Sequence, residues 1–537
     1  MRQVPTHDNS RCAKALNWRR GLANASRGRS VMDIAKLATA VTRSVAGEGG
    51  FRTMRRLLLS LIASAGAFTI AQNGALAQAA STPPSLQLNQ GFFERLVQAY
   101  ADEFKPAPSS AEAGAAATRR PPPFPPAPLA SPPWSWPDWP FGGTPLIGGA
   151  TPNSSGGNLM KALHGTSLGD FLNDNHIEIY GWAEGGMNLS TSHGKFGNLP
   201  AAYDYTPNLP MLNQAVVYVE RVPDTVQQDH IDWGFRVIGV YGTDWRFLGM
   251  DGVFAEQLIK RDAQYGYDLP SFYGDIYIPW IGQGTDIRIG RYMTLPDIEA
   301  DLALQNVFYS HSMYYTYDPF TQFGIVWSTR LTKNWVAQIG INAGSDNAPW
   351  THSAKPTVTG CVQWNSDSSS DNVYVCANGT NDGRYAYNNV QLYVFTWYHK
   401  FTDRLWVGTE DYYEYERKVP NVSTNAGALI RGANGALCGS GNYCWAGAYA
   451  LSFYVMYQLT DKDYVGLRNE GYYDARGQRT GFKTWYSENT LGWARWLSNS
   501  IAVRPEVRFD HAYDATPYSN GKARSQFTAA ADLFIKF

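Results

Sequence analysis

This 537-residue sequence has only one stretch apolar enough to be weighed as a membrane helix, which excludes a polytopic helical membrane protein. Charge is sparse: 17% of residues are Asp, Glu, Lys or Arg, against about a quarter in ordinary soluble domains. Basic excess is missing too, with 45 Lys and Arg against 46 Asp and Glu, so a nucleic-acid surface is not expected. Metalloprotease His-Glu-x-x-His and phosphate-loop motifs are absent, and no cofactor or metal site is expected. What the chain does have is 14% aromatic residues and 51 glycines. So many Tyr, Trp and Phe exclude disorder for the whole. Few charges with many aromatics and glycines, and no helical spans, is the composition of an outer-membrane β-barrel.

The N-terminal third reads as segments outside that barrel. Residues 54–77 have a positive start at Arg55 and Arg56, an apolar core from Leu57 to Ile70, and small Ala75 and Ala77 at a cleavage site. That is a secretory signal peptide cut near Ala77, with a buried core helix as the alternative. Residues 1–53 hold ten basic groups against three acidic. They read as an upstream start-site extension before Met54, or as an Arg-rich organellar transit sequence. Residues 78–175 form a periplasmic leader. Within it 90–104 suggest a short helix with Phe93, Leu96, Val97 and Tyr100 on one face, and 121–149 are rich in Pro and Trp. Proline at that density favours extended polyproline II, as a spacer or as a docking segment.

From 176 to 537 the hydropathy alternates with period two, as half-buried strands require. Fourteen strands are expected, within a range of 12–16: 176–188, 212–221, 231–243, 271–280, 285–293, 321–331, 334–343, 387–401, 404–416, 445–459, 462–474, 482–496, 499–512 and 524–537. Each is about long enough to cross a bilayer when tilted. The last puts Phe527, Ala529, Ala531, Leu533 and Ile535 on one face, with Thr528, Asp532 and Lys536 on the other. The penultimate one opposes Val503, Val507 and Phe509 to Arg504, Glu506, Arg508 and Asp510. Such charged faces need water, which a soluble sandwich could supply on its outside and a barrel in its lumen. Connection lengths favour the barrel, because they alternate between long and tight, with turns such as 332–333, 402–403, 460–461 and 497–498 all at one end. Short periplasmic turns opposite long external loops follow from that pattern.

By parity the lumen receives Glu178, Glu184, Glu220, Arg236, Arg288, Arg330, Glu410, Glu414, Arg468, Glu470, Glu488, Arg504, Glu506, Arg508, Asp510, Asp532 and Lys536. Acidic and basic walls facing each other there would orient dipolar solutes; the alternative for each residue is a structural ion pair. Asp411 falls on the lipid side of the same strand as Glu410, so a bulge or an early strand end is expected there. The long connection 294–320 is the expected constriction loop, with Asp297, Glu299, Asp301 and His311; an external cap is the other reading. His311 and Ser312 would point to opposite sides if extended, a poor arrangement for a hydrolase nucleophile and base. Cys361 and Cys376 fall in one expected external loop, 344–386, and Cys438 and Cys444 in another, 417–444. In an exported chain an even number of cysteines suggests one disulfide within each loop. His352 is the only histidine in these loops and has no recognised ligand spacing.

The barrel segment resembles the OmpL-like putative β-barrel porin family of Gram-negative envelopes. The likeness is carried by IYGWAEGGMN at 179–188, VYGTDWR at 240–246 and GRYMTLPDIEADLALQNVFYSHSMYYTYDPFTQFG at 290–324, with Gly290-Arg291, Asn306, His311-Ser312 and Pro319-Phe320 at family positions. Asp297-Ile298-Glu299 departs from the family's usual Gly-Tyr-Glu. The terminal aromatic Phe537 resembles the signal read by the outer-membrane assembly machinery. The resemblance implies a channel with no assigned solute. A non-enzymatic porin for small hydrophilic solutes or ions is therefore expected, in contact with outer-membrane lipid and open to homo-oligomer formation. A structural or adhesive barrel is the alternative, and an outer-membrane hydrolase a more distant one. Without residues 1–77 the chain keeps 33 basic and 43 acidic groups, a net charge of about −10, which predicts a mild cation preference.

Overall fold

The computed structural model describes residues 91–105, 147 and 157–537, apart from 202, 296, 369, 387 and 423–434. The expected extension, signal peptide and most of the Pro/Trp-rich stretch lie outside these residues. Sixteen antiparallel strands close into one barrel, each paired with its sequence neighbours, and β1 pairs with β16. The first eight are β1 (Glu178–Ser190), β2 (Met211–Arg221), β3 (Asp232–Gly242), β4 (Gly266–Ile278), β5 (Thr285–Met293), β6 (Thr321–Arg330), β7 (Trp335–Ser345) and β8 (Thr357–Asn365). The others are β9 (Asp371–Thr380), β10 (Gln391–Lys400), β11 (Leu405–Pro420), β12 (Tyr443–Thr460), β13 (Asp463–Asp474), β14 (Thr484–Trp496), β15 (Ile501–Ala512) and β16 (Ser525–Lys536).

Closure removes the free edges a sheet would otherwise present, and the last residue takes part in it. The Phe537 N–H donates to the Gly181 carbonyl at 2.9 Å, and the Gly181 N–H donates back at 3.3 Å. Alternation then sorts the side chains. Ile339 on β7 and Leu451 on β12 are more than half exposed on the outer wall, while the polar residues between them are buried within.

The strand map differs from expectation at three places. Strands β8 and β9 lie within what the alternation gives as one external loop, 344–386. Their inner faces carry Thr359, Gln363, Asn372 and Asn378, uncharged and only weakly contrasted with outer Val362 and Val375, and the turn between them is rich in Ser and Asp. Cys361 and Cys376 therefore sit directly opposite each other on adjacent strands, joined as a disulfide, and not in a loop. Cys438 and Cys444 are joined as well, tying the β11–β12 loop to the start of β12. Second, β4 begins at Gly266 and runs through Pro270. A register shift against β3 between Ile238 and Val240 leaves that proline out of the ladder, where its missing N–H costs nothing. Third, β11 neither bulges at Asp411 nor ends there. Asp411 pairs in regular register with Phe395 and Leu451 and is exposed on the outer wall, and the shift comes later, between Glu416 and Val419.

Among the described residues three helices precede the barrel: α1 (Phe92–Asp102), α2 (Asn158–Leu163) and α3 (Ser167–Asp174). They lie at the short-turn end, where Glu103 accepts from the Ser500 N–H at 3.1 Å and its hydroxyl at 2.6 Å. Helix α1 buries Arg95 and Ala99, and turns Phe93 and Val97 of its expected apolar face outward.

The sorting can be tested on the outer wall. Val507 lies midway along β15 on the exposed side. Val507→Arg should lower the unfolding free energy in lipid by about 2–4 kcal/mol, because a cation there meets hydrocarbon. A change within 0.5 kcal/mol of zero (about the noise of such measurements) in a urea titration would contradict this orientation.

Candidate functional site

The inner wall from β10 to β16 is built in horizontal rows, because cross-strand partners lie level with each other. One row runs Val394, Tyr412, Ala450, Tyr472, Tyr486, Ala512. The next toward the short-turn end runs Thr396, Glu410, Ser452, Glu470, Glu488, Asp510, Gln526. Below it come Tyr398, Gly408, Tyr454, Arg468, Thr490, Arg508, Thr528. Acidic and basic rows are thus neighbours on this wall. Arg468 bonds Glu488 at 3.1 Å and Arg508 bonds Asp510 at 2.8 Å, so the charges pair along the wall.

All seventeen residues assigned inward by parity are buried, the most exposed being Lys536 at 8%. Loop L3, residues 294–320 between β5 and β6, accounts for much of that burial. Its N–H groups meet wall carboxylates in pairs. Glu506 accepts from Tyr309 at 2.9 Å and Ser310 at 3.2 Å, and Glu470 accepts from Met313 at 2.7 Å and Tyr314 at 2.8 Å. Its carbonyls meet wall guanidiniums. Arg504 donates to Ala303, Asn306 and Phe308 at 2.8–3.0 Å while also bonding Asp532 and Glu184. Arg468 donates to Ser310 and Arg508 to His311. Helix α4 (Met313–Tyr317) follows, capped by the Ser312 hydroxyl.

Of the four expected loop residues, Glu299 and His311 come together and the other two go elsewhere. Glu299 accepts from Arg468 at 2.7 Å, His311 Nδ1 at 3.1 Å, Tyr454 Oη at 2.8 Å and the Ser312 N–H and hydroxyl. Burial pushes its carboxyl up, but Arg468 and these donors outweigh that and hold it at about 2. The Ser312 hydroxyl is thereby committed to the carboxylate; it and His311 sit on the same side of a turn, not on opposite faces. Asp301 accepts from the Tyr203 hydroxyl at 2.7 Å, and Asp297 turns toward Asp318 and Glu410. A cavity of about 20 Å³, room for one water, lies between L3 and β10–β12, lined by Glu299, Phe308, Tyr398, Trp406 and Tyr454.

The other inward residues form satellite pairs. Arg236 meets Glu220 at 2.5 Å beside Glu178, Arg288 forks onto Asp275 at 2.9 and 3.1 Å, and Arg479 forks onto Glu414 at 2.8 Å. Arg330 donates to the Ile147, Thr332 and Lys333 carbonyls, and Lys536 lies over the Trp496 ring. Sequence reasoning missed three residues that hold L3 or its surroundings. Gln214 bonds the Asp301 carbonyl and the Ala303 N–H, and Asp346 takes the Thr321 N–H at 2.7 Å. Arg291 is fully buried on Asp268 and the Leu248 carbonyl. Gln214 shares the inward parity of β2 but carries no charge to mark it; Asp346 lies in a loop with no period to read.

The stretch Gly165-Thr166-Ser167-Leu168-Gly169 has the spacing of a hydrolase nucleophile elbow. An elbow needs a strand running into a helix, whereas here Thr166 caps α3 between two short helices and Ser167 is exposed.

The family model of putative beta-barrel porin-2, OmpL-like, matches residues 176–537. The chain belongs to this porin family. Its barrel is accordingly an outer-membrane one. No curated protein matches the chain. Among solved structures, the anion-selective porin from Comamonas acidovorans is 9% identical, covers 67% of this chain and 99% of its own, with a TM-score of 0.42. The outer membrane channel DcaP of Acinetobacter baumannii is 10% identical over 67% of this chain and 97% of its own, also at 0.42. Salmonella typhi OmpF, solved with daunomycin, has the same figures.

Arg504 offers a direct test of the clamp. Arg504→Met removes one partner of a buried ion pair and three loop contacts, and should cost about 3–5 kcal/mol in a urea titration in lipid. A loss below 1 kcal/mol (less than one ordinary buried hydrogen bond) would show that the clamp contributes little.

Proposed function

We propose that the chain forms a porin-type diffusion channel for small hydrophilic solutes or ions, with L3 as its constriction. The observation that carries this reading is the infolded loop itself. A closed barrel with a polar inner wall holds a 27-residue loop inside by charged side chains on three strands, β11, β13 and β15. A structural element needs no such internal apparatus, whereas a solute filter does. Ten carboxylates stand against seven cations among the inward residues assigned by parity, and L3 adds Asp297, Glu299 and Asp301. That excess supports a mild cation preference. The short-turn end would face the periplasm, carrying α1 to α3 and the preceding leader. The reading of a structural envelope barrel draws on one observation, the deep burial of the inner rows.

Purified protein refolded into a planar bilayer should give discrete current steps, and absence of steps from folded, heat-modifiable protein would sink the channel reading. Reversal potentials in a salt gradient should have the sign of cation preference; anion preference would refute the charge argument. Replacing Glu470 and Glu506 together by Ala leaves the four L3 amides they hold without partners and should enlarge the steps.

A further inference from the structure

The loop is not held equally on its two sides. Its tip, 303–314, is clamped to β13 and β15 by guanidiniums and carboxylates that pair with each other or with backbone. Its neck faces β10–β12 across the small cavity, and there the contacts are of another kind. Thr294 and Phe320 bond each other where the loop leaves the barrel, and Asp297 and Asp318 stand just inside that point. Both are at least 95% buried. The Asp297 carboxyl lies in hydrogen-bonding reach of Asp318 and of Glu410 on β11. Both oxygens of Asp318, one of Asp297 and Oε1 of Glu410 find no donor among the surrounding groups. Glu410 Oε2 takes the Ile298 N–H at 2.6 Å. Carboxyl groups in such contact can bond only if a proton lies between them. Asp297 also has φ of +106°, a region where a residue with a side chain sits only when its contacts hold it.

We propose that Asp297, Asp318 and Glu410 form a proton-sharing latch that keeps the neck of L3 against β10–β12, and that their ionisation opens the pore along that seam. This rests on the channel reading and adds its control by external pH. The groups facing the latch leave no cation to replace the proton. From L3 there are Glu299, already bonded to Arg468, and Asp301, bonded to Tyr203. From β11 there is Glu414, which engages Arg479. Tyr315 in L3, Tyr374 on β9, Tyr398 on β10, Tyr412 on β11 and Tyr454 on β12 present phenols, which supply no positive charge. Asp346, beyond β7, acts on the loop end through Thr321 and is pushed up by burial to about 6, and Asp301 is pushed up as well, by burial with Asp346 and Asp297 beside it.

The direction follows from burial. Burial pushes Asp297 up to about 6, and burial with the adjacent Asp297 pushes Asp318 well above the ordinary range. Groups raised in the closed state hold it best when protonated, below about pH 4, and lose that hold as pH rises through 6 and beyond.

The test is open probability of the full-length refolded channel in planar bilayers between pH 4 and pH 9. The open-to-closed ratio should rise by about a hundredfold between pH 4 and 7, tenfold for each pH step over which only the latched state keeps its proton. Asp318→Asn supplies a permanent donor to Asp297, so it should stay closed across the range; Glu410→Gln should do the same. Asp346→Asn, whose contacts lie outside the latch, should keep the rise with pH whatever its basal current. Heat-modifiable migration verifies that each variant is folded. A parent ratio that does not change with pH, or a response kept by Asp318→Asn and lost in Asp346→Asn, overturns the latch. No current at any pH would refute instead the channel reading beneath it.

Discussion

Everything in this barrel depends on the closing hydrogen bonds between β1 and β16. In hydrocarbon an unpaired backbone group costs several kcal/mol, so a sheet can cross the bilayer only when its first and last strands meet. Here they meet over nine residue pairs, from Trp182 with Lys536 to Ser190 with Thr528, and Phe537 extends the ladder to Gly181. Once the sheet is closed, alternation has only two destinations for a side chain, lipid or lumen. The charges that would be too costly outside are forced in, where they must find partners.

The partners they find explain how L3 is placed. A row of acids beside a row of arginines is nearly self-neutralising, but each group keeps spare hydrogen-bonding capacity. Arg468, Arg504 and Arg508 have more N–H groups than their carboxylates use, and Glu470 and Glu506 have free acceptor oxygens. A loop with few helical turns of its own offers unpaired amides and carbonyls. L3 supplies those groups to the wall, and the wall supplies its charges to L3. Ion pairs and loop docking are therefore one network, and moving one member disturbs the rest.

Much of the fold could be read in advance, and the places that could not share a cause. Parity assigns Arg504, Glu506 and Arg508 to one face because each alternates with Val503, Pro505 and Val507, a contrast of charge against hydrocarbon. Strands β8 and β9 offer no such contrast: Thr359, Cys361 and Gln363 alternate with Val358, Gly360 and Val362, and the period fades into what looks like loop. Asp411 shows the converse, a charge on the outer face of a strand that nonetheless continues in register to Glu416. Within the site, the wall residues follow from period two, but which of them meet L3 does not: Gln214 shares the inward parity with no charge to mark it, and Asp346 lies beyond β7 with no period to read.

Local chemistry along the chain thus determined the class of fold, the long-and-short rhythm of its connections, the inward charges and the net acidity. These are properties of neighbours in sequence, set by alternation and composition. The tertiary structure alone decided that acids and bases pair along one wall, that Cys361 and Cys376 face each other across two strands, and that the carboxyls of Asp297, Asp318 and Glu410 share one buried pocket. Those three carboxyls alone span 113 positions, and only the barrel's register and the path of L3 bring them within bonding distance.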